Sequence, residues 1–403
     1  MAMSSGLSGP SAGSDAPSIE YQHLGRFSNW VEFALRQKAA ALWQGSHQLN
    51  LGRVRDALGF GRDRPPIEPH QEGTWIGDGV VGQEISWGVG YGPRTSAWLL
   101  RPEGAQGALP GVLALHDHSN FKFFGKEKIA DGPNPPDPLV VDLRRREYGG
   151  RAFANELARA GFTVLIHDVF LWGSRGFTLD EMLAPEVSAT SDVDWLPRSD
   201  ILGAPDGTAV QPGLIRSYNR AAIRHEHLVA KYCNLLGTSL AGVIAYEDRV
   251  ALAYLRSRTD IVGSLTGCIG LSGGGLRAIL LQATSPDISV AVVVGMMSTY
   301  DHLLDRHVAP HTWMLFPAGL ARVADWPQIA SCRAPSPLVV QYARGDQLFP
   351  LQGMVAAHEC ISARYLAAGA PEAYVGQFFD GPHWFDRAMQ DAAFHQLSFW
   401  LST

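Results

Sequence analysis

From Pro110 onward, short and almost wholly apolar runs alternate with stretches of helical periodicity. The runs are Gly111 to Leu115, Phe162 to Ile166, Gly267 to Leu271, Val290 to Val294, Leu338 to Tyr342 and Tyr374 to Phe379. Between most of them, apolar residues recur every three or four positions, over Gly150 to Ala160, Ala241 to Arg256, Gly274 to Gln282 and Val355 to Ala368. Strands that are apolar on both faces and separated by helices predict a mostly parallel sheet covered on both sides, an α/β architecture. Upstream the pattern differs. Residues 1–20 are biased to Ser, Gly, Pro and Ala and read as a tail. Tyr21 to Leu58 reads as helical, and Gly61 to Pro69 as a linker, so that 21–70 forms an N-terminal helical segment with its connection. Gln83 to Tyr91 and Thr95 to Arg101 flank the turn signal Gly92-Pro93 and predict an antiparallel hairpin.

In sheets of this kind the chemistry sits beyond the carboxyl ends of the strands. His116-Asp117-His118-Ser119-Asn120 follows the first core run, His167-Asp168 the second, Ser272 the third, Asp346 the fifth and His383 the sixth. Ser, Asp and His thus occur in that order at strand ends, 74 and then 37 residues apart. Gly270-Leu271-Ser272-Gly273-Gly274 closes an apolar run and opens a helical one. A nucleophile on so tight a strand-to-helix turn needs small neighbours for the turn to close. Ser272 is the expected nucleophile, His383 its base and Asp346 the carboxylate orienting the imidazole. Asp301 and Asp380 are the rival acids. Ser239 reads as the N-cap of the helix that follows it.

The Ser-Asp-His order, the Gly-Leu-Ser-Gly-Gly elbow and the Asp346-x-x-Phe349-Pro350 segment resemble the α/β-hydrolase superfamily. Gly267 to Gly274, with His116-Asp117-His118 and the downstream Phe124-Gly125-Lys126-Glu127-Lys128, are similar to the dienelactone-hydrolase and acetyl-xylan-esterase-like enzymes. The resemblance covers about residues 75–403. It implies an α/β-hydrolase fold and a Ser-dependent esterase working through an acyl-enzyme. Dienelactone hydrolases use Cys where this chain has Ser272, which favours ordinary carboxylic esters. The family's first oxyanion-hole loop commonly reads His-Gly-x. The resemblance therefore implies the backbone N–H groups of His118 and Gly273 as oxyanion donors, with Asp117 standing where Gly is usual.

Some seventy residues between Asp168 and Leu240 are rich in Pro, Asp and Trp, too long for an ordinary loop, and predict a lid-like insertion over about 170–238. Phe170, Trp172 and Trp195 within it are candidate pocket residues. His116, Asp117 and Trp384 are further candidate substrate contacts. Tyr300 to Trp326 is a second stretch that would complete the rim. Phe121, Phe123 and Phe124 read as pocket lining or core. His225-Glu226-His227 lacks the H-E-x-x-H spacing of a zinc helix and reads as a solvated turn or rim. Arg144-Arg145-Arg146 reads as a solvated run, with contact to an acidic substrate as the other reading.

Composition narrows the classes without changing this picture. The 403 residues are 46% hydrophobic and 18% charged, which excludes disorder and coiled coil as the overall class. The net charge of −6 gives no reason to expect nucleic acid or an anionic membrane as partner. Four scattered Cys without a C-x-x-C pair argue against a disulfide scaffold or zinc site. No apolar stretch approaches the roughly 18 residues of a membrane span. No metal and no cofactor is expected, the partner is a small-molecule ester, the location cytoplasmic by default, and a homodimer is possible. A prolyl-oligopeptidase-like peptidase or amidase, and a non-catalytic binding protein on the same fold, are the competing readings.

Overall fold

The apolar runs pair side by side. In the computed structural model, which describes residues 21, 23–43, 51–60, 65–182 and 211–402, the described residues form nine strands. These are β1 (Ile67–Gly77), β2 (Val80–Gly88), β3 (Thr95–Pro102), β4 (Leu109–Leu115), β5 (Thr163–His167), β6 (Ile261–Leu271), β7 (Val290–Val294), β8 (Leu338–Ala343) and β9 (Tyr374–Phe379). They make one sheet in the order β1-β2-β3-β5-β4-β6-β7-β8-β9. β1, β2 and β3 pair antiparallel, as does β3 with β5; every pairing from β5 through β9 is parallel. The predicted hairpin is the β2–β3 pair, with Gln83 opposite Leu99.

The main helices are α1 (Asn29–Trp43), α2 (Leu51–Leu58), α3 (Pro138–Glu147), α4 (Phe153–Arg159), α5 (Pro212–Leu235), α6 (Leu240–Ser257), α7 (Gly273–Thr284), α8 (Leu351–Ala367) and α9 (Arg387–Trp400). Alternate residues of each core strand enter two separate cores, as the two-residue period of a strand requires. Leu113 and Leu115 of β4 join the core made with α2, α6, α7 and α8, whereas Val112 and Ala114 join the one made with α4 and α9. β7 divides in the same way, Ala291 and Val293 against Val290, Val292 and Val294. This two-sided burial is why these strands read as unbroken apolar runs. Ser239 caps α6 by accepting from the Gly242 N–H at 3.0 Å.

Two expectations change. The stretch predicted as a linker up to Pro69 runs into β1, which starts at Ile67. β1 is exposed along almost its whole length and is held by backbone pairing to β2, so it carries no apolar signal. The insertion predicted over 170–238 is described to 182 and from 211, and the second part is the 24-residue helix α5. Trp195 and residues 1–20 lie outside the described residues. Among the described residues no single helix is long and apolar enough to cross a membrane.

The joint between β6 and α7 depends on two glycines. A Cβ on Gly274 would stand 2.0 Å from the Leu115 carbonyl oxygen, and one on Gly270 would stand 2.4 Å from the Gly274 carbonyl carbon. The helix start is therefore pressed directly onto the end of β4. Gly274→Ala is expected to cost about 1–3 kcal/mol by forcing that backbone apart. A thermal unfolding midpoint equal to wild type would show that the contact yields without cost.

Candidate functional site

Ser272 is the single residue between β6 and α7. Its backbone lies at φ 56, ψ −117, a conformation that L residues rarely adopt, and its N–H donates to the Val294 carbonyl at the end of β7 (2.8 Å). Such strain at a strand-to-helix turn lifts a side chain clear of the sheet. Ser272 is half-buried.

The loops after β8 and β9 are stitched to one another. Arg344 N–H donates to the Phe379 carbonyl (2.9 Å) and Gly345 N–H to the Gly381 carbonyl (2.8 Å). This places His383 Nδ1 2.6 Å from Asp346 Oδ2, while Asp346 Oδ1 accepts from the Leu348 N–H at 2.7 Å. The Asp346 side chain is fully buried and that of His383 is 19% exposed. Burial alone would lower the His383 pKa. The hydrogen bond and charge of Asp346, with the charges of Glu147 and Asp117, outweigh it and raise the pKa above the ordinary histidine value. The ring lies beside the elbow, because a Cβ on Gly295, just after Val294, would approach His383 Cε1 to 3.5 Å. Among the described residues no hydrogen bond joins Ser272 to His383; with Nδ1 taken by Asp346, Nε2 is the nitrogen open to the serine. Of the rival acids, Asp301 is exposed, and Asp380 pairs with Arg344 at 3.0 Å with its side chain 92% exposed.

The loop after β4 closes the other side. A Cβ on Gly273 would stand 2.8 Å from His118 N, so these two amides are near neighbours. Ser119 and Asn120 follow at φ 44 and φ 51. His118 is pinned at both ring nitrogens: Asn120 N–H donates to Nδ1 (3.1 Å) and Nε2 meets Glu226 Oε2 at 2.9 Å. With Nδ1 accepting, Nε2 carries the proton. Burial lowers the His118 pKa, against the pull of Glu226, and keeps the ring neutral.

Beneath the loop lies a layer of buried ion pairs. Asp117 accepts from Tyr148 Oη and meets Lys128 Nζ at 3.1 Å; Lys122 Nζ binds Glu226; Lys126 Nζ meets Asp168 at 3.0 Å; and Arg277 meets Asp248 at 2.7 Å. Burial raises the Asp117 pKa, but Lys128 and the hydrogen bonds of Ser119 and Tyr148 more than offset it and hold it below the ordinary carboxylate value. Glu147, at the end of α3, accepts from Ser119 Oγ; burial and the Asp117 charge push its pKa up to about 7.

This geometry redistributes the expected substrate contacts. Asp117 is locked to Tyr148 and Lys128 inside the protein, so the residue that replaces Gly in the loop acts as its anchor. His116 is buried, and burial with the nearby charges of Arg277 and Lys128 holds its pKa well below the ordinary value. Trp172 is buried under the loop, edge-on to His118 at 5.1 Å and below Lys122 Nζ at 4.8 Å, so it supports the loop from within. Phe170 packs against Tyr91 and Phe177, and its N–H donates to Glu247 (2.8 Å). Trp384 is half-buried against the α4–α9 core and fills the space beside Gly381, supporting the turn that carries His383. Phe121 and Phe123 both pack edge-on to Phe124, and Phe123 also to Tyr218 of α5.

Two charged runs are solvated only in part: Glu226 and Arg144 are buried, while His227, Arg145 and Arg146 are exposed. Glu226 is buried and, besides His118 and Lys122, accepts from Thr312 Oγ1 and from the Trp313 N–H (3.0 Å). One carboxylate thus ties α5, the His118 loop and the 300–326 stretch together. Arg144 is buried and bonds Asp131 together with the carbonyls of Glu127, Lys128 and Ala130, whereas Arg145 and Arg146 are exposed. No three metal-donor side chains converge among the described residues.

No family model matches the chain. The Bacillus subtilis protein named "Putative hydrolase YtaP" is 23% identical over 284 residues, which is 70% of this chain and 75% of that protein. Among solved structures, the glucuronoyl esterase from Solibacter usitatus superposes with a TM-score of 0.58 at 15% identity, covering 90% of this chain and 93% of the other. A "putative acetyl xylan esterase" from Bacteroides fragilis gives 0.58 at 13% identity, over 82% and 73%. The parallel strand order, the elbow carrying Ser272 and these likenesses identify the chain as a protein of the α/β-hydrolase fold.

Proposed function

We propose that the protein is a carboxylic ester hydrolase using Ser272, His383 and Asp346 through an acyl-enzyme. The observation that carries this reading is the strained backbone of Ser272 at the β6–α7 joint, flanked by a bonded His383–Asp346 pair on one side and the His118 and Gly273 amides on the other. Ser272 Oγ attacks the ester carbonyl as its proton passes to His383 Nε2. The amides hold the oxyanion, and Asp346 stabilises the imidazolium. Collapse expels the alcohol, which takes the proton from His383, and a water molecule repeats the cycle to release the acid. Names of the structural relatives point the same way, being esterases.

The test is hydrolysis of p-nitrophenyl esters from acetate to octanoate, combined with a fluorophosphonate label. Turnover with label on Ser272 supports the reading; absence of both overturns it. The pH profile offers a separate check. His383 acts as base only when neutral, so kcat/KM falls as pH drops through its pKa. Because Asp346 raises that pKa, the acid limb is expected above pH 6.5. Asp346→Asn removes the carboxylate charge that helps raise the pKa, and its limb is expected at lower pH with a reduced plateau. A limb that does not move in this variant would dissociate Asp346 from the base.

A further inference from the structure

Beside the His118 loop runs a groove of 440 Å³ between α3 and α5. Ser119 and Asn120 line it together with the apolar Phe121, Leu139, Leu143 and Ile223. Three arginines also line it: Arg146 from the last turn of α3, and Arg216 and Arg220 from successive turns of α5. All three are exposed, and none makes an ion pair or hydrogen bond among the described residues. Among the described residues, Asp142 is the one carboxylate lining the groove, and Arg145 engages it at 3.0 Å.

Folding does not account for this arrangement. Arg146 complements the helix dipole at the end of α3, but Arg216 stands just past the first turn of α5, toward the end where the dipole disfavours cations. Arg216 and Arg220 are also like charges four residues apart on one helix, which is unfavourable in itself. Three guanidinium groups with no acidic partner among the described residues border one concavity of a protein whose net charge is −6. Guanidinium forks match carboxylates in shape and charge, and the apolar lining suits a carbon skeleton.

We propose that this groove is the subsite for a carboxylate carried by the ester substrate, remote from the bond cleaved. The proposal rests on the ester-hydrolase reading and names its substrate class: acid-bearing esters with an apolar spacer. The groove reaches the reacting centre through the chain itself. Ser119, which lines the groove, follows His118, one Cα step of about 3.8 Å away, and the His118 amide is the neighbour of Gly273. The proposal requires the remainder of an ester whose carbonyl is held between those amides to pass Ser119 into the groove.

Two matched pairs test the proposal on either side of the ester: 4-acetoxybenzoate against its methyl ester, and mono-4-nitrophenyl adipate against methyl 4-nitrophenyl adipate. In at least one pair the acid is expected to have a kcat/KM about tenfold above its neutral partner, carried by KM. That ratio is expected to fall toward one in Arg216→Gln/Arg220→Gln and in 0.5 M NaCl. Binding is read independently on Ser272→Ala protein, which leaves the ester intact. Calorimetric titration is expected to show monomethyl adipate binding more tightly than dimethyl adipate, with the difference lost when the arginine pair is replaced. Neutral esters cleaved in a Ser272-dependent way with no preference for either acid would overturn the subsite and leave the hydrolase reading standing. An acid preference that survives the double replacement would also overturn it. If no ester turns over, the hydrolase reading fails, and equal titrations of the two adipates would then overturn the subsite as well.

Discussion

Ser272→Ala is expected to lower kcat for p-nitrophenyl acetate by about 10⁴-fold or more. The substitution removes the oxygen proposed to form the acyl-enzyme, while the His118 and Gly273 amides, the proposed oxyanion donors, remain to supply a small residual rate over water. His383→Ala should cost a similar factor. Combining the two should cost little more than either alone, because nucleophile and base act as one unit and a disabled pair cannot be disabled twice. Folding is expected to survive, since Ser272 makes no side-chain hydrogen bond to the helix it caps. A thermal midpoint near wild type, measured on the same preparation, separates lost chemistry from lost structure. Activity within tenfold of wild type in Ser272→Ala would remove this serine from the mechanism.

The largest loss of stability is expected from Arg277→Met. Arg277 is buried at the start of α7, with Nη2 2.7 Å and Nε 3.1 Å from the Asp248 carboxylate, and with Nη1 donating to the His116 carbonyl at 3.2 Å. The Asp248 side chain is fully buried and also meets His167 Nε2 at 3.0 Å. Removing the guanidinium leaves that carboxylate uncompensated, at a cost of about 3–5 kcal/mol. Arg277→Met/Asp248→Leu should recover much of this loss, because burying no charge can be nearly as good as burying a matched pair. Urea unfolding of wild type, the two single variants and the double variant measures the coupling directly. Additive losses would show that the two residues act independently. Since Arg277 also holds the carbonyl of the first residue in the loop leading to His118, the single variant should lose hydrolytic rate beyond what its folded fraction explains.

Why some residues were readable from the chain and others were not follows from how far apart their partners lie. β4, β6, β7 and β8 are buried on both faces, so each leaves an unbroken apolar run, and the helices covering them leave a matching period. The candidates Ser272, Asp346 and His383 stood out in the chain for a related reason. A parallel sheet puts its reactive loops after its strands, and the glycines around Ser272 mark the tight turn locally. β1 left no trace because it is exposed along most of its length and is held chiefly by backbone pairing to β2, with Trp75 packing on Trp98. α5 buries Asn219, His225 and Glu226 in the same stripe as Ile215, Ala222, Val229 and Cys233, so its buried face does not read as apolar.

The ion pairs beneath the loop belong to a different class of information. Glu247, Asp248 and Arg249 interrupt a helix whose other residues are largely apolar, and Lys122 stands among phenylalanines. A buried charge is tolerated only when paired, so each of these needs a partner in the fold. Position along the chain does not say which. Lys122 finds Glu226 104 residues away, Asp117 finds Tyr148, and Asp248 finds Arg277. Burial periodicity is written into neighbouring residues, so the sheet, the elbow and the order of the reactive side chains were present in the chain as local patterns. Charge pairing in a low-dielectric interior is satisfied by whatever the folded backbone brings within about 3 Å. The anchoring of Asp117, the neutral tautomer of His118 and the cationic groove between α3 and α5 therefore came into view only with the strands and helices in place.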